Sequence, residues 1–189
     1  VSARIVHLLR HAAVERPGRF LGRSDEPCTG AGLATCLDRA AEVEFDTIVT
    51  SPLIRAAEVA DALGALRRLP VAQDAAWLEL DFGTWEGKTA DEIGEEALLP
   101  FYGQPDRHAP PGGERWNTLV RRVAGAIDRL GEGSSLVVTH GGPIRAALAH
   151  LCGFDPRQLW AFDLPYGALL SLRLFPGDPV SAQITALHT

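Results

Sequence analysis

Three short apolar runs restrict this chain more than any other feature: "IVHLL" at residues 5–9, "TIVT" at 47–50 and "SLVVT" at 135–139. Each is rich in β-branched side chains and too short for a helix, so each reads as a buried strand. Each also precedes a longer stretch with helical character. That alternation predicts an α/β fold, a three-layer α/β/α sandwich with a mainly parallel sheet. At 189 residues the chain has room for one such domain, 1–189, with a substantial core.

Helices are expected from about Gly32 to Glu42, after Ser51-Pro52, from about Glu114 to Leu130, and after a Gly141-Gly142 turn. Ser51 reads as an N-cap with Pro52 at the first helical position, where proline's missing N–H costs nothing. A short strand is expected at 70–73, and "FGTWEGKTADEI" leads through a glycine-punctuated loop into a short helix. The polar, proline-rich stretch "YGQPDRHAPPGGE" reads as a crossing segment. Two final strands, Ala168–Leu174 and Ala182–Leu187, flank a Pro-Gly-Asp-Pro turn.

Ligands of such sheets bind beyond the carboxyl ends of the strands. Arg10-His11, Ser51 with Arg55, and Thr139-His140 all fall at predicted strand ends. Two arginines and two histidines on one rim supply many N–H donors. A phosphoryl group spreads its charge over several oxygens and suits such a rim, since arginine offers a planar fork to it. Helix amino termini after Ser51 and Gly141 would point N–H groups the same way, and Gly141 and Gly142 would let the backbone approach an anion.

Composition narrows the function further. A net charge of −6 argues against a general nucleic-acid binder. No apolar run of about 18 residues offers a membrane-spanning helix. Cys28, Cys36 and Cys152 are odd in number and lack CxxC spacing, so they read as reduced thiols of a cytoplasmic protein, without a disulfide framework or zinc site. No carboxylate cluster accompanies the rim, and the arginines supply the positive charge, so neither a metal nor another cofactor is expected. A Ser-His-Asp hydrolase is rejected: there is no G-x-S-x-G elbow, and the proline after Ser51 removes an N–H an oxyanion hole would need.

Five ordered segments resemble the histidine phosphatase superfamily, the phosphoglycerate-mutase-like fold, from about Ile5 to Leu151. "LLRHAAV" is similar to its LxRHG segment and "GRFLGRSDEPCTGAG" to its RxQGxxDxPLTxxG loop. "TSPLIRAAEVA" resembles SPLxRAxxTA, "LELDFGTWEGKT" resembles LxExxFGxWEGxT, and "VVTHGGPIR" resembles VxHGGxIR. The resemblance implies that His11 is a nucleophile that becomes a phosphohistidine, with a neutral ring favoured by Arg10, Arg55 and the second histidine. It implies that His140 bonds a phosphate oxygen, that Arg10 and Arg55 clamp the others, and that Glu79 is the general acid. Glu86, in "WEG", matches the structural part of its motif. Gly22, Gly141 and Glu114 are further expected substrate contacts.

Two departures stand out. Ala12-Ala13-Val14 replaces the usual Gly-Glu-Thr, and Arg16-Pro17 stands near the place of a common asparagine. The short span from Gly87 to His140 and the "PPGGERW" segment look most like α-ribazole phosphatase within the superfamily. The expected activity is a phosphomonoesterase acting on a small phosphorylated metabolite, with α-ribazole 5′-phosphate as the preferred candidate. The alternatives are a phosphoglycerate mutase and a non-catalytic phosphate-binding module of the same fold. The oligomeric state stays open, a homodimer included.

Overall fold

The computed structural model describes residues 4–177 and 180–189. Strands β1 (Arg4–Arg10), β2 (Thr47–Thr50), β3 (Val71–Gln73), β4 (Ser134–Thr139), β5 (Leu169–Phe175) and β6 (Ser181–His188) form one sheet in the order β3-β2-β4-β1-β5-β6. The pairings from β3 through β1 are parallel, whereas β1–β5 and β5–β6 are antiparallel. The mainly parallel sheet is therefore present, with an antiparallel hairpin added at one edge. Asp178 and Pro179 of the expected Pro-Gly-Asp-Pro turn lie outside the described residues.

Side chains alternate across the sheet as strand geometry requires. Val6, Leu8 and Val137 enter one core, and Leu9, Leu136 and Val138 enter the other. Helices α1 (Gly30–Ala40) and α2 (Ile54–Arg67) close the second core with Cys36, Ala40, Ala56, Val59 and Leu63. Helices α5 (Trp116–Arg129) and α6 (Gly141–Cys152) close the first with Leu119, Val123, Ile127, Ile144 and Leu148. Each buried Val, Leu or Ile side chain among these stabilises the fold by about 2 kcal/mol relative to exposure. Three layers result, as the alternation of runs predicts.

Helix starts differ from the sequence reading, for reasons that matter at the site. Ser51 is not an N-cap: α2 begins at Ile54, Leu53 occupies the cap position, and no side chain of that residue caps it. The Ile54 N–H donates instead to Asp25 Oδ1, 2.6 Å away, in the loop before α1. Gly141 and Gly142 form no turn; they are the first residues of α6 itself, with His140 at its N-cap. Helix α5 begins at Trp116, which leaves Glu114 in the preceding loop.

Three further helices follow the "WEG" loop and α6: α3 (Ala90–Ile93), α4 (Glu95–Gly103) and α7 (Pro156–Leu159). The sequence reading anticipates the first only. Pro100 inside "EEALLPFYG" speaks against a helix, yet α4 is short enough to lose one internal hydrogen bond. Helix α7 carries a complete capping box: Asp155 accepts from the Arg157 and Gln158 N–H groups, and Pro156 sits at the first helical position. Among the described residues, no helix is long and apolar enough to cross a membrane.

Candidate active site

Parallel pairing places Arg10 beside Thr139, so the residues that follow, His11 and His140, emerge next to each other. Their ring centroids are 4.9 Å apart. Both rings are buried, as are Arg55 and Glu79. The sheet thus gathers five residues from four separate segments at one edge.

His11 Nδ1 lies 2.8 Å from its neighbour's carbonyl, Ala12 O. A carbonyl only accepts, so Nδ1 carries the proton and Nε2 holds an unprotonated lone pair. Arg55 Nε donates to that nitrogen over 3.3 Å. Burial first, and then the charges of Arg55 and Arg10, hold the proton affinity of His11 well below the ordinary histidine value of 6.5. The ring is neutral at physiological pH. Burial also pushes His140 well down, with further contributions from His11, Arg55, Arg10 and Arg122.

The two arginines differ in how they spend their donors. Arg55 gives Nη1 to Ser24 O at 2.7 Å and Nη2 to Leu21 O at 2.8 Å and Gly22 O at 3.3 Å. It ties down the 21–24 loop while aiming Nε at His11. Arg10 Nη1 donates to Leu164 O, and its guanidinium lies 4.4 Å over the ring of Tyr166. Its Nε is buried with no partner among the described residues.

His140 Nε2 is 2.8 Å from Ser51 Oγ. That oxygen also accepts from the Leu53 N–H at 3.4 Å. The other ring nitrogen of His140, Nδ1, is buried without a partner among the described residues, as is Arg10 Nε. Such orphaned polar atoms are costly unless a ligand meets them. Ser51 therefore orients the second histidine, a use that its reading as a helix cap had missed.

Glu79 lies in irregular backbone after β3. Its two carboxylate oxygens accept from the Gly142 N–H, each at 3.1 Å, and Oε1 also accepts from the Leu80 N–H at 2.7 Å. A Cβ at Gly142 would sit 2.0 Å from Glu79 Oε1, so a side chain here would push the Glu79 carboxylate out of this position. The amino termini of α2 and α6 thus hold Asp25 and Glu79, and neither presents these N–H groups freely to a ligand. That corrects the expectation that both helix ends face the anion.

The remaining expected contacts fall elsewhere. The Gly22 N–H donates to Glu86 Oε1 at 2.9 Å, as do those of Arg23 and Ser24 at 3.1 and 2.8 Å. A Cβ there would come within 2.3 Å of Leu80 O, so Gly22 serves close packing and Glu86 pins the loop. Glu114 is engaged by Arg122 through two 2.8 Å bonds and does not line the cleft. Gly141 does line it. Ala12 is fully buried in the second core, Ala13 O accepts from the Thr29 N–H, and Val14 bridges to Cys28. The apolar replacement at 12–14 is thus packed into the base of its loop. Arg16 pairs with Glu26.

Two adjoining cavities open here. A floor of about 140 Å³ is lined by Arg10, His11, Arg19, Leu21, Glu79 and Tyr166. A side cavity of about 150 Å³ shares Arg10, Phe20, Glu79 and Phe82 with the floor and continues over Tyr102, Arg145 and Trp160. The Tyr102 and Trp160 rings meet edge to face at 4.9 Å, and Trp160 Nε1 donates to Tyr102 O. Sequence reasoning missed Tyr166 and these three wall residues. Only Arg145 carried a signal, as the last residue of "HGGPIR". Among the described residues, no three His, Cys, Asp or Glu side chains gather as a metal ion would need.

Known proteins resemble this chain in sequence and fold. The chain is 31% identical over 207 residues to a 2,3-bisphosphoglycerate-dependent phosphoglycerate mutase of Nitrobacter winogradskyi, covering 97% of this chain and 98% of that one. It is 28% identical over 172 residues to the adenosylcobalamin/alpha-ribazole phosphatase of Escherichia coli K12, covering 85% of each. The solved structure of Bacillus stearothermophilus YhfR superposes with a TM-score of 0.85 at 28% identity, covering 97% of this chain and 96% of the other. The pattern that defines histidine phosphatases of branch 1 matches residues 6–186. Strand order, the paired histidines and these likenesses agree: the chain belongs to the histidine phosphatase superfamily, branch 1.

Proposed function

We propose that this protein is a phosphomonoesterase that works through a phosphohistidine on His11. The observation that carries the reading is a nucleophilic lone pair, His11 Nε2, beside two buried polar nitrogens that lack partners, Arg10 Nε and His140 Nδ1. Nε2 attacks phosphorus and the P–O bond to the leaving group breaks. Arg10, Arg55 and His140 stabilise the charge on the other oxygens, and Glu79 passes a proton to the departing alkoxide. Glu79 then takes a proton from water as that water attacks phosphorus, the P–N bond breaks, and Nε2 recovers its lone pair.

The substrate is a small phosphorylated metabolite, and the wall favours a flat, partly apolar leaving group. Phe82, Tyr102 and Trp160 beside the floor suit a heterocycle such as that of α-ribazole 5′-phosphate better than a three-carbon acid. A phosphoglycerate mutase is the second reading. The Nitrobacter mutase matches this chain nearly end to end, so chain length does not separate the two activities.

Phosphate release from p-nitrophenyl phosphate, α-ribazole 5′-phosphate and 3-phosphoglycerate, with His11→Ala in parallel, tests the reading. Hydrolysis that disappears in the variant, together with an acid-labile, base-stable phosphoenzyme in the wild type, is expected. Interconversion of 3-phosphoglycerate in the presence of 2,3-bisphosphoglycerate, without net hydrolysis of any ester, would favour the mutase instead.

A further inference from the structure

The segment 76–79 is neither helix nor strand at its end, with Trp77 and Glu79 buried and Ala76 and Leu78 half-buried, and it delivers Glu79 to the cleft. Irregular buried backbone must find partners for its carbonyls. Here four consecutive carbonyls accept from side chains. Arg122 Nη1 donates to Ala76 O and Leu78 O, both at 2.7 Å, and Nη2 to Glu79 O at 2.9 Å. Thr139 Oγ1 donates to Trp77 O at 2.7 Å. The rest of the Arg122 fork, Nε and Nη2, grips the two oxygens of Glu114 at 2.8 Å each. All five donors are used.

Resting on the reading of Glu79 as the acid, we propose that Arg122, locked by Glu114, is a positioning residue that sets the reach of the Glu79 carboxyl toward the leaving group. Glu79 is held at two points: its carbonyl by Arg122 on α5 and its carboxylate by the Gly142 N–H on α6. Removing the first hold lets the segment drift while the second still binds the side chain. A displacement of about 1 Å at a proton donor can cost on the order of 100-fold in rate. Lysine cannot replace this fork, because an ammonium offers three donors from a single atom and no planar fork. Glu114 thereby acts on the cleft through Arg122 rather than by touching substrate.

Leaving-group dependence separates this role from simple stabilisation. p-Nitrophenolate departs without a proton, whereas an alkoxide needs one. Glu79→Gln should lower kcat/KM, which reports the first P–O cleavage, at least about 30-fold more for β-glycerol phosphate than for p-nitrophenyl phosphate, while kcat falls for both because the shared water step also needs Glu79. Arg122→Gln should show the same split in kcat/KM at about 10-fold. Glu114→Gln, which keeps the shape of its side chain, should show a smaller split of the same sign. Arg122→Lys should recover little of it. Equal losses of kcat/KM on both esters, or a lowered Tm with no split, would overturn the proposal. If Arg122→Gln does not fold, Glu114→Gln decides by the same criterion. Should Glu79→Gln itself fail to discriminate, the acid reading fails first, and the proposal falls with it.

Discussion

The floor and the wall of the cleft share Arg10, Phe20, Glu79 and Phe82 but are otherwise built on different principles. The floor stands on strand ends. His11 follows β1, His140 follows β4, and Arg55 sits in the first turn of α2, so the sheet itself sets their separations. The wall stands on helices and loops that touch each other chiefly through rings, with Trp160 against Tyr102 and the Arg145 guanidinium 4.8 Å over Trp160. A rigid floor suits an invariant phosphoryl group, whereas a wall of ring contacts can vary without disturbing the sheet. On the function proposed above, chemistry and specificity rest largely on separate supports.

That division is open to direct attack. His11→Ala should lower turnover of every ester by at least about 1000-fold, the largest effect of all, because no other group replaces the nucleophile. Residual turnover within 10-fold of wild type would show that the floor works in another way.

The two floor arginines should separate activity from stability. Arg55→Ala strips donors from the carbonyls of Leu21, Gly22 and Ser24, and should lower unfolding free energy by about 3 kcal/mol as well as activity. Arg10→Ala loses one carbonyl bond and a ring contact, so its main cost should be about 100-fold in kcat/KM, with unfolding changed by about 1 kcal/mol. Urea titration beside kinetics measures both, and similar destabilisation by the two variants would contradict the distinction.

On the wall, Trp160→Ala should raise KM about 10-fold for an ester with a flat aromatic leaving group and leave glycerol phosphate unaffected. Equal losses on both would mean that the wall supports the floor after all.

The smallest effect concerns acid. Buried His11 and His140 bind protons more weakly folded than unfolded, so the unfolded chain takes up protons first as pH falls below about 6.5. Stability is therefore full above that value and declines below it, toward the depressed folded values. Tm should fall between pH 7 and pH 5, and His11→Gln should shrink the fall. A decline equally steep in His11→Gln would assign the acid sensitivity to other groups, with His7, whose proton affinity burial also lowers, next in line.

Much of the floor was legible because each part lies within a few consecutive residues. A strand that ends in Arg10-His11, and another that ends in His140 before glycine, carry both the fold signal and the chemistry in one short span. Glu86 also kept the structural place that its motif assigns it. The wall was not legible, because Tyr102, Arg145 and Trp160 come from segments whose meeting depends on how α4 and α7 pack. In α7 the Asp155 capping box was present to be read, whereas in α4 Pro100 argued against the helix that formed.

Alone, the sequence determined which residue types stand at the strand ends, since apolar periodicity and helix-start chemistry are local properties of the chain. Only the tertiary structure decided which partner each of them takes. Ser51 turns from a helix end to His140, Glu114 turns from the cleft to Arg122, and Gly142 rather than Gly141 yields the space that Glu79 fills. The physical reason is that a hydrogen bond is settled by whichever partner folding brings within about 3 Å, and these partners lie far from their neighbours in sequence.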